Sequence, residues 1–263
     1  MAGIPKRRGE VVSDERVTLE DELYRTYVVD EMSIARLSSE IRRLLDGGSY
    51  TGLEMAVLYI ELAYLHSYKR DDTKSVACLR SAESLGADQF VVALAESSVK
   101  LMVGKLSEAV KSLERVDVSK LTADQVGLLM AQASAIGALD LVQHLMPAGV
   151  ESDAGEALEI LNECGATVSD LILRLDAAAQ FIAKEVSHPL LGYKRIVMGS
   201  EDCLMYRFGV RMSPEDVAEL NTKIIRFMVE RFDEPIDCVV SIGAMPFKPE
   251  RRDDSWRTYN AGV

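Results

Sequence analysis

The stretch GKLSEAVKSLERV, Gly104 to Val116, decides how this chain is read. A glycine opens it, Ala109 follows five residues later, and Leu113 and Val116 continue at +9 and +12. Apolar positions three and four apart mark one face of an α-helix, and the glycine before them marks the turn that feeds it. The pattern returns elsewhere. Moved back by 34 residues, Ala109, Leu113 and Val116 fall on Ser75, Leu79 and Ala82. Moved forward by 33, Gly104 falls on Gly137, and the other three fall on Val142, Met146 and Gly149. A period of this length is the signature of stacked helix pairs, with a small residue where the two helices approach most closely.

Working outward, the spacing predicts helices over 53–68, 73–85, 89–103, 105–116, 122–136 and 138–146, and two more over 154–163 and 168–186. Most of the separators carry Gly, Asp or Ser, among them Asp71-Asp72, Gly86, Gly104 and Gly137. Upstream, a helix is expected from Leu19 to Met32. A second is capped by Ser33, carries Ile34, Leu37, Ile41, Leu44 and Leu45 on one stripe, and stops at Gly47-Gly48. After His188-Pro189 the period changes to two. Leu204, Tyr206, Phe208 and Val210 alternate with Met205, Arg207, Gly209 and Arg211, as a half-buried strand requires. Lys194 to Met198 pairs with Cys203 to Met212 through a hairpin turn at 199–202. Ser213-Pro214-Glu215-Asp216 starts a helix that reaches Phe232, and Ile236 to Ala244 forms a third strand. The expected fold is mainly α: a helix-pair array, then a small α+β unit with a three-stranded antiparallel-type sheet. The chain divides into a flexible tail (1–18), a helical repeat-like domain (19–165), a small α+β domain (166–247) and a polar tail (248–263).

The stretch Gly104 to Val116 resembles the turn and second helix of a tetratricopeptide repeat, and the likeness covers about residues 56 to 150. Tyr59, Leu62 and Ala63 fit the first-helix pattern of the first unit. Ala93, Glu96 and Ser97 fit it poorly in the second, and the closing proline of the motif is absent from all three. An irregular helical bundle with a coincidental match is the alternative. The resemblance implies that first helices line a concave ligand face. It places Val57, Ile60, Tyr64 and Tyr68 there from unit one, and Val91, Leu94, Ser98 and Met102 from unit two. Asp124, Gly127 and Ala131 follow from unit three. Such an apolar surface suits an amphipathic helix or an extended peptide from a partner protein. The competing reading has the N-terminal helices (19–46) pack on the same residues and fill the groove in cis.

Composition narrows the function classes. A formal charge of −12 repels polyanions, so nucleic acid and anionic membrane lack an electrostatic footprint. No run of eighteen apolar residues is present to span a bilayer, and the first residues carry no apolar signal segment. Cys78, Cys164, Cys203 and Cys238 are widely spaced, and His66, His144 and His188 have no second ligand at metal spacing. No metal, no cofactor and a reducing cytoplasm are expected. The one nucleophile–base pairing to weigh is Cys203 with His188, against a packing role for both. Asp71-Asp72, Asp253-Asp254 and Lys6-Arg7-Arg8 read as solvated charge. Arg207 and Arg211 read as a small cationic face or as partners of neighbouring acids. Trp256 and Tyr259 read as aromatics that dock the tail on its own domain or on a partner. Together these features point to a non-enzymatic protein-binding module of adaptor, assembly-chaperone or neutralising type, with self-association as a further expectation. The alternative is a regulator whose array senses a peptide or small ligand and whose α+β unit carries the output.

Overall fold

Eleven α-helices and three strands lie within the residues that the computed structural model describes: 8–48, 50–146, 153–198, 203–232 and 239–247. The helices come in pairs joined by short turns. These are α1 (Arg8–Thr26) with α2 (Glu31–Asp46), α3 (Gly52–Tyr68) with α4 (Asp72–Ser84), α5 (Gln89–Met102) with α6 (Leu106–Leu113), and α7 (Ala123–Ile136) with α8 (Leu139–Leu145). Each first helix packs on its own partner and on the first helix of the next pair, α1 on α3, α3 on α5 and α5 on α7. Each second helix packs on the following first helix. Among α1 to α8 the main contacts thus join neighbouring pairs, while α10 packs back on α6. Two further helices, α9 (Asp153–Glu163) and α10 (Val168–Glu185), continue from it. Thr51, Thr122 and Thr167 close capping boxes with Glu54, Gln125 and Asp170, each cap contributing about 1 kcal/mol.

The array begins earlier than expected. Residues 8–18, assigned to a flexible tail, are the first half of α1, and that helix ends at Thr26 rather than Met32. Tyr27 takes a left-handed φ of 55° and breaks it. Met32 belongs to α2, whose cap is Asp30 accepting from the Ser33 amide, not Ser33 itself. The apolar period was silent here because the buried face of α1 is Val12, Ser13, Arg16, Glu20 and Leu23, nearly half of it charged.

The ends of the first helices share a backbone solution. Tyr27, Arg70, Gly104 and Gly137 all adopt positive φ, at 55°, 57°, 81° and 82°. This row of turns is where the rest of the chain docks. A Cβ on Gly104 would lie 3.0 Å from the Ala179 carbonyl of α10, so the backbones meet too closely for a side chain. Arg70 Nη1 donates to the carbonyls of Ala183 and, at 2.9 Å, Val186. The Leu190 amide donates to Met102 O at 2.9 Å, and Tyr193 Oη donates to Ser134 O at 3.1 Å. Residues 179–193 therefore run as a strap beneath successive helix pairs.

The strap leads into β1 (Tyr193–Met198), which pairs antiparallel with β2 (Cys203–Val210). Then α11 (Pro214–Arg231) crosses over to β3 (Val240–Pro246), which runs parallel to β2. The sheet is mixed, in order β1-β2-β3, and not antiparallel throughout. The reason is the connection: an 18-residue helix returns the chain to the end of the sheet where β2 began, so the next strand starts in the same direction. Asn221 on α11 fixes the crossover, accepting from the Ala244 amide at 2.7 Å and donating to its carbonyl at 3.0 Å. One hydrophobic core joins α5–α10 to the sheet, from Phe90 to Ala244; a second fills α1–α4 and takes in Met102 and Leu191. The 199–202 turn, Ile236 to Cys238, Asp253-Asp254, Trp256 and Tyr259 lie outside the described residues.

Candidate functional site

The face expected to receive a partner is interior. Ile60, Tyr64, Tyr68, Leu94, Ser98 and Met102 are all at most 2% exposed, and only Val57 and Val91 keep partial exposure. The N-terminal helix accounts for the first unit. Arg16 of α1 enters between the pairs, with Nη1 on Glu20 Oε2 at 2.5 Å and on Tyr68 Oη at 2.9 Å, and Nε on Glu61. Its guanidinium stands 4.7 Å from the centre of the Tyr64 ring. Burial pushes the Tyr64 and Tyr68 hydroxyls well above the ordinary tyrosine value, against the pull of Arg16, so both stay neutral. In the second unit, Ser97 and Ser98 bond to Gln132 of α7 at 3.0 and 3.3 Å. The expected face is thus packed within the chain, by Arg16 of α1 over the first unit and by Gln132 of α7 over the second, rather than by residues 19–46 over both. Gly127 and Ala131 keep an outward position on α7; Leu128 between them is 37% exposed.

An open cleft of about 340 Å³ lies instead on the outer layer, between α2 and α4. Tyr59, Leu62 and His66 of α3, spaced i, i+3 and i+7, form its floor. Arg42, Leu45 and Asp46 form one wall, and Lys74, Ala77 and Cys78 the other. Asp71, the cap of α4, accepts from the Lys74 amide and pairs with its ammonium at 2.6 Å. The Lys74 hydrogen bond holds the Asp71 carboxyl below its ordinary value. Burial holds the His66 imidazole down, with Asp71 opposing and Arg42 and Lys74 assisting, so the ring is neutral near pH 7. Burial also raises the Cys78 thiol, only partly offset by Arg42, and a raised thiol is a poor nucleophile. The cleft thus offers an apolar floor, a neutral imidazole and a rim of both signs.

Elsewhere the candidate chemistry comes apart. His188 Nε2 accepts from the Arg211 amide at 3.1 Å, so Nδ1 carries the proton and donates to Pro189 O at 2.8 Å. Both nitrogens are committed to backbone. Cys203 opens β2 while Arg211, whose amide His188 holds, follows its far end, about 26 Å away at ~3.3 Å per residue, so Cys203 and His188 are not brought together. Among the described residues no group of three or more His, Cys, Asp or Glu could hold a metal ion. Arg207 spends its guanidinium on Ser241 O and Oγ, at 2.8 and 2.9 Å, tying β2 to β3 rather than forming a free cationic face. Asp72 proves to be more than solvated charge: it bridges Lys100 at 2.8 Å and Lys105 at 2.7 Å. Burial raises its carboxyl, but the two ammonium bonds outweigh this and keep it below the ordinary value. Arg8, from the basic N-terminal run, pairs with Glu40 of α2.

Sequence reasoning missed the cleft because its residues come from three helices that no single period connects. The one available signal was the Tyr59, Leu62, His66 face of α3, which carries a polar ring among apolar neighbours. No protein-family model, no curated protein and no solved structure matches this chain.

Proposed function

We propose that this chain is a non-enzymatic protein-binding module, an adaptor, assembly chaperone or neutralising partner, that uses the outer cleft between α2 and α4. The observation that carries the reading is the cleft itself: an apolar floor of Tyr59 and Leu62 with Arg42, Asp46 and Lys74 at its edges. An open cleft cannot enclose the 70–90% of a small ligand that a dedicated pocket buries, yet it fits a peptide segment with an apolar anchor and charged flanks. Linear arrays of helix pairs present extended surfaces of this kind. The formal charge of −12 adds long-range attraction for a basic partner. The same reading sets the protein in a reducing cytoplasm, in keeping with free thiols at Cys78, Cys164 and Cys203, and away from the bilayer. Among the described residues no helix is long and apolar enough to cross a membrane.

A second reading, a regulator in which the array senses a ligand and the α+β unit responds, draws on the strap. Arg70, Gly104 and Ser134 each meet the strap or the α10 helix leading into it, so a shift between helix pairs would reach the sheet. The test compares affinity capture from the native host by wild type and by the double variant Arg42→Glu/Lys74→Glu. Both residues are exposed, so the fold is retained, as thermal melts would verify. A stoichiometric partner held by wild type and lost by the variant is expected. Equal recovery by both would remove the cleft from the account.

A further inference from the structure

The core face of the sheet carries Tyr193, Arg195 and Val197 on β1, opposite Phe208, Tyr206 and Leu204 on β2. It is an apolar face, packed against α9 and α10, with Val217, Leu220 and Ile224 of α11 in the same core. Three polar groups nevertheless sit on it. Tyr193 Oη is satisfied by Ser134 O at 3.1 Å. The other two are not. Nε and Nη1 of Arg195 and Oη of Tyr206 are buried with no hydrogen-bond partner among the described residues, and the two residues are direct cross-strand neighbours. Tyr206 is fully buried, while Arg195 keeps partial exposure, so the guanidinium links the interior to the surface. Burial pushes the Tyr206 hydroxyl up to about 12, against the charge of Arg195 and the approach of its N–H groups, which fall short of a well-formed hydrogen bond, so the hydroxyl remains protonated. The site therefore presents N–H and O–H donors beside a positive charge, and among the described residues Arg195 has no ion-pair partner.

Buried donors are almost always paired, and a covered cation without a counter-charge is destabilising unless an anion completes it. We infer that Arg195 and Tyr206 form a recognition site for an oxyanion group, a phosphate or a carboxylate, entering beside the guanidinium. Arg195 supplies the charge and planar donors that match such a group, and Tyr206 adds one hydrogen bond from beneath. This site is separate from the cleft between α2 and α4, and its fate does not depend on the protein-binding reading.

Thermal melts of the full chain in a concentration series of inorganic phosphate, and separately of acetate, at ionic strength held constant with sodium chloride, test this. Wild type is expected to show a saturable rise in melting temperature with at least one anion. A response to phosphate alone assigns a phosphoryl ligand, and one to acetate a carboxylate. Arg195→Met is expected to lose the response, and Tyr206→Phe to weaken the apparent affinity about tenfold or more, the equivalent of one charge-assisted hydrogen bond. No saturable rise with either anion overturns the site, as does an equal rise in Arg195→Met, the mark of an adventitious ion only. Should Arg195→Met fail to fold, Tyr206→Phe decides alone, and an unchanged affinity there overturns the inference.

Discussion

Replacing Arg16 by methionine removes the cation that joins α1 to α3. Arg16 and Glu61 are both fully buried and Glu20 is 4% exposed, so two carboxylates would be left in the interior without the guanidinium. Breaking a buried ion pair by deleting one partner costs about 3–5 kcal/mol, against a total stability of about 5–15 kcal/mol for a typical domain. At about 2–4 °C per kcal/mol for a chain of this size, the melting temperature falls by roughly 6–20 °C. The triple variant Arg16→Met/Glu20→Gln/Glu61→Leu removes both sides of the interaction. Replacing a whole buried triad by groups of similar volume is often neutral or better, so this variant returns to within about 1 kcal/mol of wild type or above it. Urea unfolding followed by far-ultraviolet circular dichroism on the three proteins gives the comparison. If Arg16→Met unfolds within about 1 kcal/mol of wild type, the triad does not hold the N-terminal pair as described. A triple variant no more stable than the single would equally refute the argument.

Other perturbations address the turn row and the strap. Arg70→Gly relieves a left-handed non-glycine residue, worth about 1–2 kcal/mol, but loses the bonds to Ala183 O and Val186 O, and a net loss of about 1–4 kcal/mol is expected in the same urea assay. Gly104→Ala combines a φ of 81° with a Cβ at 3.0 Å from Ala179 O, and a loss of about 2–4 kcal/mol in chemical unfolding is expected. His188 titrates below its ordinary 6.5, because of burial first, with Arg70 and Arg211 in the same direction and the Pro189 bond opposing. A depressed folded-state value means its contribution is complete above about pH 6.5 and is lost as pH falls below it, by up to about 1.4 kcal/mol per pH unit. His188→Gln keeps an acceptor for the Arg211 amide, and its stability between pH 7.5 and 5.5 should show a shallower slope than wild type.

Much of the helical fold could be read from the chain because its first-order signals agree. From α3 onward, apolar spacing, Asp and Thr caps and separator glycines coincide, and the helix bounds lie within about three residues of those expected. The 33-residue step from Gly104 to Gly137 marked two equivalent turns, both at positive φ. The matching positions before them are Arg70 and Tyr27, which pattern reasoning passes over because it looks for glycine. α1 was invisible for a different reason: a face sealed by Arg16 and Glu20 has no hydrophobic period to detect. The direction of β3 follows from the helix before it, which was seen, but strand order and parallel pairing were not drawn from it. The site was the least legible part. First-helix residues such as Tyr64 and Leu94 look like a ligand face in a single repeat, and become core once neighbouring pairs close over them.

The most direct test of the cleft as a binding surface is site-specific photocrosslinking in the native host, with a photoreactive amino acid at Ala77 in one protein and at Ala131 in another. Ala77 lies on the rim of the cleft, and Ala131 is exposed on α7, on the surface first expected to bind. A defined crosslinked partner from position 77 and none from position 131 is expected. A partner captured only from position 131 would contradict this and return the binding surface to the first helices.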